Sequence, residues 1–248
     1  NDILDGYVNL TLYVYSNGSC LDVIDNMILF ITPPADVYAG DDAAICSTDT
    51  YTITDATAAN YDHVEWVTSG SGSFNNPNLV NATYTPGSGE SGAITLTITA
   101  HSNSPCPDST DQMILTVSQP PQVFAGDDDE ICEGSDYKLS SATASDYSSL
   151  QWTTSGTGTF DNSGLLAATY TPSPTDIIDG YVTLTLLAYG NSTCADSTDS
   201  MYLSITHAAS VDAGDDAEIC ETGTYTLNGS AANHTSVLWS SSGDGSFD

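Results

Sequence analysis

The chain has almost no positive charge. Lys138 is its single Lys or Arg, against 33 Asp plus Glu in 248 residues, so the formal net charge is −32. Such a surface cannot neutralise a phosphate, which excludes nucleic acid and anionic lipid as partners and favours cations. No run of about 18 apolar residues occurs, so membrane insertion through a helix is not expected. No signal peptide opens the chain at "NDILDGY". G-x-S-x-G, H-E-x-x-H and Walker-like runs are missing, and His63, His101, His207 and His234 share no register. Paired carboxylates are too frequent for any one pair to mark an acid–base site, so no enzyme is expected. C-x-x-C is also absent, which argues against zinc.

Six cysteines are present, Cys20, Cys46, Cys106, Cys132, Cys194 and Cys220. Their even number and regular spacing point to disulfides and an oxidising compartment, with buried free thiols or a metal as alternatives. Low hydrophobicity with high charge can signal disorder, but 40% of the residues are apolar and they are patterned.

The pattern is a repeat. "VYAGDDAAIC" (37–46), "VFAGDDDEIC" (123–132) and "VDAGDDAEIC" (211–220) are three versions of one decapeptide. Aligning them aligns Ala39, Ala125 and Ala213, then Trp66, Trp152 and Trp239, then Cys20, Cys106 and Cys194. Residues 35–120 and 121–208 are two complete repeats. Residues 1–34 read as the C-terminal half of another, and 209–248 as the N-terminal half of a further one. The sequence equals three periods less a counterpart of 162–174, which suggests a piece of a longer repetitive chain.

Each repeat reads as all-β. In "AITLTITA" (93–100) Ile94, Leu96 and Ile98 share one face, and Thr95, Thr97 and Thr99 the other. "YVTLTLLA" and "YVNLTLYV" repeat this alternation, and no segment shows a helical period. About seven short strands per repeat is the size of an immunoglobulin-like sandwich, in which Trp66, Trp152 and Trp239 are expected in the core. The joints "TPPADV" and "SQPPQV" are stiffened by Pro-Pro, whereas "THAASV" is not. Tandem immunoglobulin-like sandwiches forming an elongated rod follow as the expected fold.

"AGDD-x-x-I-C", "W-T-T-S-G-x-G-x-F", "A-T-Y-T-P" and "V-T-L-T-L" together resemble the PKD-like/Ig-like repeats of very large cell-surface proteins of Bacteroidetes, including gliding-type adhesins exported by type IX secretion. The resemblance covers the whole chain. It implies an extracellular, cell-surface location and O-glycosylation at D-S-T, offering Ser109 and Ser197.

Two acidic clusters recur. One holds Asp41 and Asp42, Asp127 and Asp128, and Asp215 and Asp216. The other pairs Asp2 with Asp5 and Asp176 with Asp179; the repeat between has Ser88 and Ser91 there, with only Glu90 nearby. Acidic loops can supply the six to eight oxygens calcium takes, so these residues are candidate ligands, with a solvated acidic surface as the alternative. The expected function is a non-catalytic structural segment of an extracellular adhesin or stalk, whose partners are neighbouring repeats of the same chain. A polymeric filament, with other copies as partners, and a carbohydrate-binding module are the alternatives.

Topology bears on the cysteines. In an immunoglobulin-like unit the decapeptide ends the first strand, at the far end of the domain from the loop holding Cys106. Strands of seven to nine residues separate those ends by roughly 25–30 Å, against about 7 Å tolerated by a disulfide. Cys46–Cys194, across the joint, is therefore expected, with Cys20, Cys106, Cys132 and Cys220 seeking partners outside the sequence. Cys46–Cys106 and Cys132–Cys194 would require a different topology.

Overall fold

A computed structural model describes residues 6–103, 105–191 and 193–247. Asp2 and Asp5 lie outside the described residues. The chain forms two compact units, Asn1–Pro121 with Gly190–Ala195, and Gln122–Tyr189 with Asp196–Asp248.

The first unit opens with a hairpin, β1 (Tyr7–Val14) and β2 (Val23–Phe30). A sandwich follows, built from β3 (Asp36–Tyr38), β4 (Ala43–Cys46), β5 (Tyr51–Thr52), β6 (Thr57–Ala59), β7 (Tyr61–Thr68), β8 (Ser73–Phe74), β9 (Thr83–Thr85), β10 (Gly92–Ser102) and β11 (Ser109–Ser118). One sheet has the order β4-β11-β10-β7. The facing layer is β3-β6 and β5-β9-β8.

The second unit repeats this plan with β12 (Gln122–Phe124), β13 (Asp129–Cys132), β14 (Tyr137–Lys138), β15 (Thr143–Ser145), β16 (Tyr147–Thr154), β17 (Thr159–Phe160), β18 (Thr169–Thr171), β19 (Tyr181–Gly190) and β20 (Ser197–Thr206). Its sheet order is β13-β20-β19-β16, facing β12-β15 and β14-β18-β17. Two short strands, β21 (Ser210–Asp212) and β22 (Ser230–Ala232), end the unit. A layer of first, second, fifth and fourth strands facing one of third, sixth and seventh is the immunoglobulin arrangement. The complete repeats are tandem immunoglobulin-like β-sandwiches.

Strand alternation places the cores. Leu96, Ile98 and Leu115 are fully buried in one sandwich, as are Leu184, Leu186 and Leu203 in the other. Each such side chain contributes about 1.5–3 kcal/mol relative to exposure. Trp66 and Trp152 are each 2% exposed. Their indole N–H groups donate to the carbonyls of Leu79 and Val80, and of Leu165 and Leu166.

Trp239 departs from the expectation of a core residue, being 39% exposed. Among the described residues, 209–247 carry only β21 and β22, and no counterpart of β10–β11 closes over the indole.

The structure also adds a helix, α1 (Pro174–Asp179). Six residues are too few to show a period, so its signals are at the ends. Ser173 forms a capping box with Asp176, Pro174 opens the first turn, and Gly180 closes it in the left-handed conformation at φ 77°.

Candidate functional site

The repeated decapeptide is a strand switch. β3 pairs antiparallel with β6, whereas β4 leaves that layer and pairs parallel with β11 in the other. Gly40 and Gly126 make the crossing at φ 99° and 112°, a region L side chains rarely adopt. Ala39 and Ala125 before them are fully buried, and their N–H groups donate to Asp111 and Asp199 at 2.8 Å. The second Asp of the motif then accepts from the last strand: Asp42 from Ile114 N–H and Asp128 from Tyr202 N–H, both 2.7 Å. These carboxylates satisfy backbone donors beside the new ladder.

Asp176 departs from its expected place in a calcium loop. It is 1% exposed and both oxygens are engaged. Thr157 N–H donates to Oδ1 at 2.8 Å, while Tyr170 OH and Ser173 N–H donate to Oδ2 at 2.7 and 2.8 Å. Three of the carboxylate's about four lone-pair sites thus accept from the protein itself. Glu90 does the same work in the first sandwich, accepting from Tyr84 OH at 2.9 Å, Gly87 N–H at 3.0 Å and Ser71 N–H.

The S-G-x-G motif makes room for this lock. A Cβ on Gly70 would lie 2.0 Å from Glu90 Oε1, and one on Gly156 2.1 Å from Asp176 Oδ1. Cβ atoms on Gly72 and Gly158 would each lie 2.4 Å from the tyrosine hydroxyl. Burial alone would push both carboxyls up, but the donors outweigh it and hold Glu90 and Asp176 below their usual ranges. Burial, reinforced by Asp176, pushes Tyr170 up to about 12 against a lowering hydrogen bond from Thr154. The signal that could have revealed the lock was an acid six residues after the tyrosine of A-T-Y-T-P in both repeats.

The remaining candidate ligands are not gathered. Asp41, Asp127, Asp179, Asp215 and Asp216 are exposed. Asp41 accepts from Tyr38 OH, and its own N–H donates to Asp55 at 2.8 Å. Among the described residues no three His, Cys, Asp or Glu side chains come together as metal ligands. Ser109 and Ser197 open β11 and β20, opposite Ala100 and Ala188, and are half-buried.

Cys46 and Cys194 are joined by a disulfide, with Cα atoms 4.9 Å apart. The register explains why Cys46 does not pair within its repeat. Cys46 faces Ser118 at the end of β11, and the loop holding Cys106 precedes the start of that ten-residue strand. At about 3.3 Å per residue the two are roughly 30 Å apart. Cys194 Sγ also lies 3.4 Å from the Ser118 carbonyl. Cys106 Sγ lies 3.1 Å from the Thr32 carbonyl, the aligned position one repeat earlier. Cys20, Cys106, Cys132 and Cys220 are free thiols, and all but the half-buried Cys106 are exposed.

No protein-family model and no curated protein matches the chain. Several solved structures resemble it. Titin domains I67–I69 align over 71% of this chain and 67% of that one, at 14% identity and a TM-score of 0.43. Mouse cadherin-23 EC22–24 aligns over 82% and 75%, at 15% identity and 0.43. Sidekick-1 immunoglobulin domains 1–5 align over 78% and 45%, at 14% identity and 0.40. The fold assignment rests on the strand order described above.

Proposed function

We propose that the chain is a non-catalytic structural segment of an extracellular surface protein, an adhesin shaft or stalk, in which covalent staples carry tension from one repeat to the next. The observation behind this reading is the Cys46–Cys194 bond, 148 residues apart in sequence. Tension applied along the chain crosses from Cys46 to Cys194 and bypasses the strands from β5 to β19. The recurring polar clusters fit the same role, since Asp42, Asp128, Asp176 and Glu90 hold backbone and tyrosine donors. The bond supports an oxidising compartment outside the cell. Cell-surface origin of the Bacteroidetes type is part of the proposal and is carried by the repeat motifs alone.

Single-molecule stretching tests it. The 148 residues at about 3.3–3.6 Å each make roughly 500 Å of hidden length. That length is expected to be missing from oxidised chains and to appear after reduction. Equal released lengths in both states would remove the staple from the tension path and the proposal with it.

Calcium enters the proposal on charge alone. At −32, neighbouring carboxylates repel within a Debye length of about 8 Å at physiological salt, and a cation bound only to the folded chain raises its stability. The melting midpoint is expected to be higher in millimolar calcium than in EDTA at matched ionic strength. Equal midpoints leave only a solvated acidic surface.

A further inference from the structure

Two histidines far apart in sequence meet on the outer face of the first sandwich. His63 on β7 and His101 on β10 are register partners, which puts their Cβ atoms about 4.5–5.5 Å apart. Val64 and Ala100, their strand neighbours, are buried, so both imidazoles face outward. The rings stack with centroids 4.3 Å apart and planes 18° from parallel. Three carboxylates surround the pair. His63 Nδ1 lies 3.0 Å from Asp62 Oδ2, and His101 Nδ1 lies 2.8 Å from Asp108 Oδ2. Glu65 Oε2 is 3.9 Å from His101 Nε2.

An ionised carboxylate only accepts, so each Nδ1 carries its hydrogen and donates it, and the lone pair of each neutral ring sits on Nε2. That is the arrangement of a metal-ligating histidine, whose other nitrogen donates to a carboxylate that fixes the tautomer and raises the basicity of the ring. The second sandwich shows that the fold does not require it. Ser149 and Tyr189 stand at the aligned positions, with Gln151 in place of Glu65, and Tyr189 OH donates to Gln151 Oε1 at 2.8 Å. A neutral hydrogen bond serves the second sandwich where the first sets two imidazoles among three acids.

We infer that His63 and His101 together bind one divalent transition-metal ion, each through its Nε2, with water completing the shell. Imidazole suits Cu²⁺, Ni²⁺ and Zn²⁺, whereas the hard Ca²⁺ takes oxygen ligands. Metal–nitrogen distances of about 2.0–2.1 Å set the two donors roughly 3 Å apart. The His63 side chain is 57% exposed, and a tilt of its ring brings the stacked pair to that span. Asp62, Glu65 and Asp108 balance the charge of the ion, and the net −32 of the chain raises its local concentration. Two protein ligands make an open, exchangeable site rather than a closed structural centre, which takes four. The inference is independent of the shaft reading.

Titration calorimetry of the full chain with Ni²⁺, in millimolar calcium to occupy all-oxygen sites, tests it. One Ni²⁺ per chain is expected to bind. His63→Ser and His101→Tyr, which copy the second sandwich, should each weaken that binding at least about tenfold, since losing even an outer-shell partner commonly costs as much. His207→Ser with His234→Ser should leave it unchanged. A second measurement needs no substitution: with the free thiols alkylated, pulsed electron paramagnetic resonance of the Cu²⁺-loaded chain should show two coordinated imidazoles. Binding that survives His63→Ser or His101→Tyr, binding that disappears with His207 and His234, or a single imidazole in the spectrum would overturn the inference.

Discussion

Asp176→Ala is expected to destabilise the second sandwich by about 3–5 kcal/mol and to leave the first untouched. Removing the carboxylate orphans Thr157 N–H, Ser173 N–H and Tyr170 OH beside a fully buried ring. An unsatisfied buried donor costs about 1–3 kcal/mol, and the three share one acceptor, so the total is less than their sum. The Ser173 N–H bond is also the Asp176 half of the α1 capping box, while the other half, from Asp176 N–H to Ser173 Oγ, survives the substitution. Tyr170→Phe, which removes a single donor of the lock, should cost only about 1–2 kcal/mol. Denaturant unfolding read at Trp152 follows the second sandwich, and a loss under 1 kcal/mol for Asp176→Ala would refute the lock.

Acid provides an independent check on the same group. Because the folded carboxyl sits below its ordinary 3.8, its contribution is complete above that value and disappears as pH falls through the lowered folded pKa. Asp176→Ala should therefore flatten the part of the acid-unfolding profile below about pH 4 that belongs to the second sandwich. Glu90 follows the same sign from an ordinary 4.5.

The sandwich was legible because its signals are local. Alternation along 93–100 and 181–188, and a tryptophan recurring with the period, leave few other ways to bury those faces. The role of Asp176 was not legible. In sequence it stands beside Asp179 in a loop and looks like half of a calcium pair. Only the third dimension brings Tyr170 and Thr157 onto it, and the middle repeat disguises the equivalence by using Glu90 without a helix. The decapeptide was half legible. Its recurrence and its cysteine were visible, but its acids look like cation ligands until the strand is seen to change sheets, where Asp42 and Asp128 meet backbone N–H groups.

Removing the Cys46–Cys194 bond is expected to cost about 2–5 kcal/mol in resistance to denaturant. A cross-link spanning 148 residues restricts the unfolded chain strongly, and the chain-entropy relation gives about 5 kcal/mol as an upper value. The loss acts through the unfolded state, because the Cys46 backbone is already held by the parallel ladder to Ser118. Either single serine variant removes the whole bond, so Cys46→Ser, Cys194→Ser and the double variant should lose the same amount. That non-additivity separates a cross-link from two unrelated packing losses, which would sum in the double variant. The bond also ties the unfolding of one sandwich to the other: while it stands, whichever sandwich opens first remains looped to its folded neighbour. The variants should therefore show two transitions that are more widely separated than in the oxidised parent. Additive losses, or a loss under 1 kcal/mol, would mean that the bond joins the repeats without stabilising them.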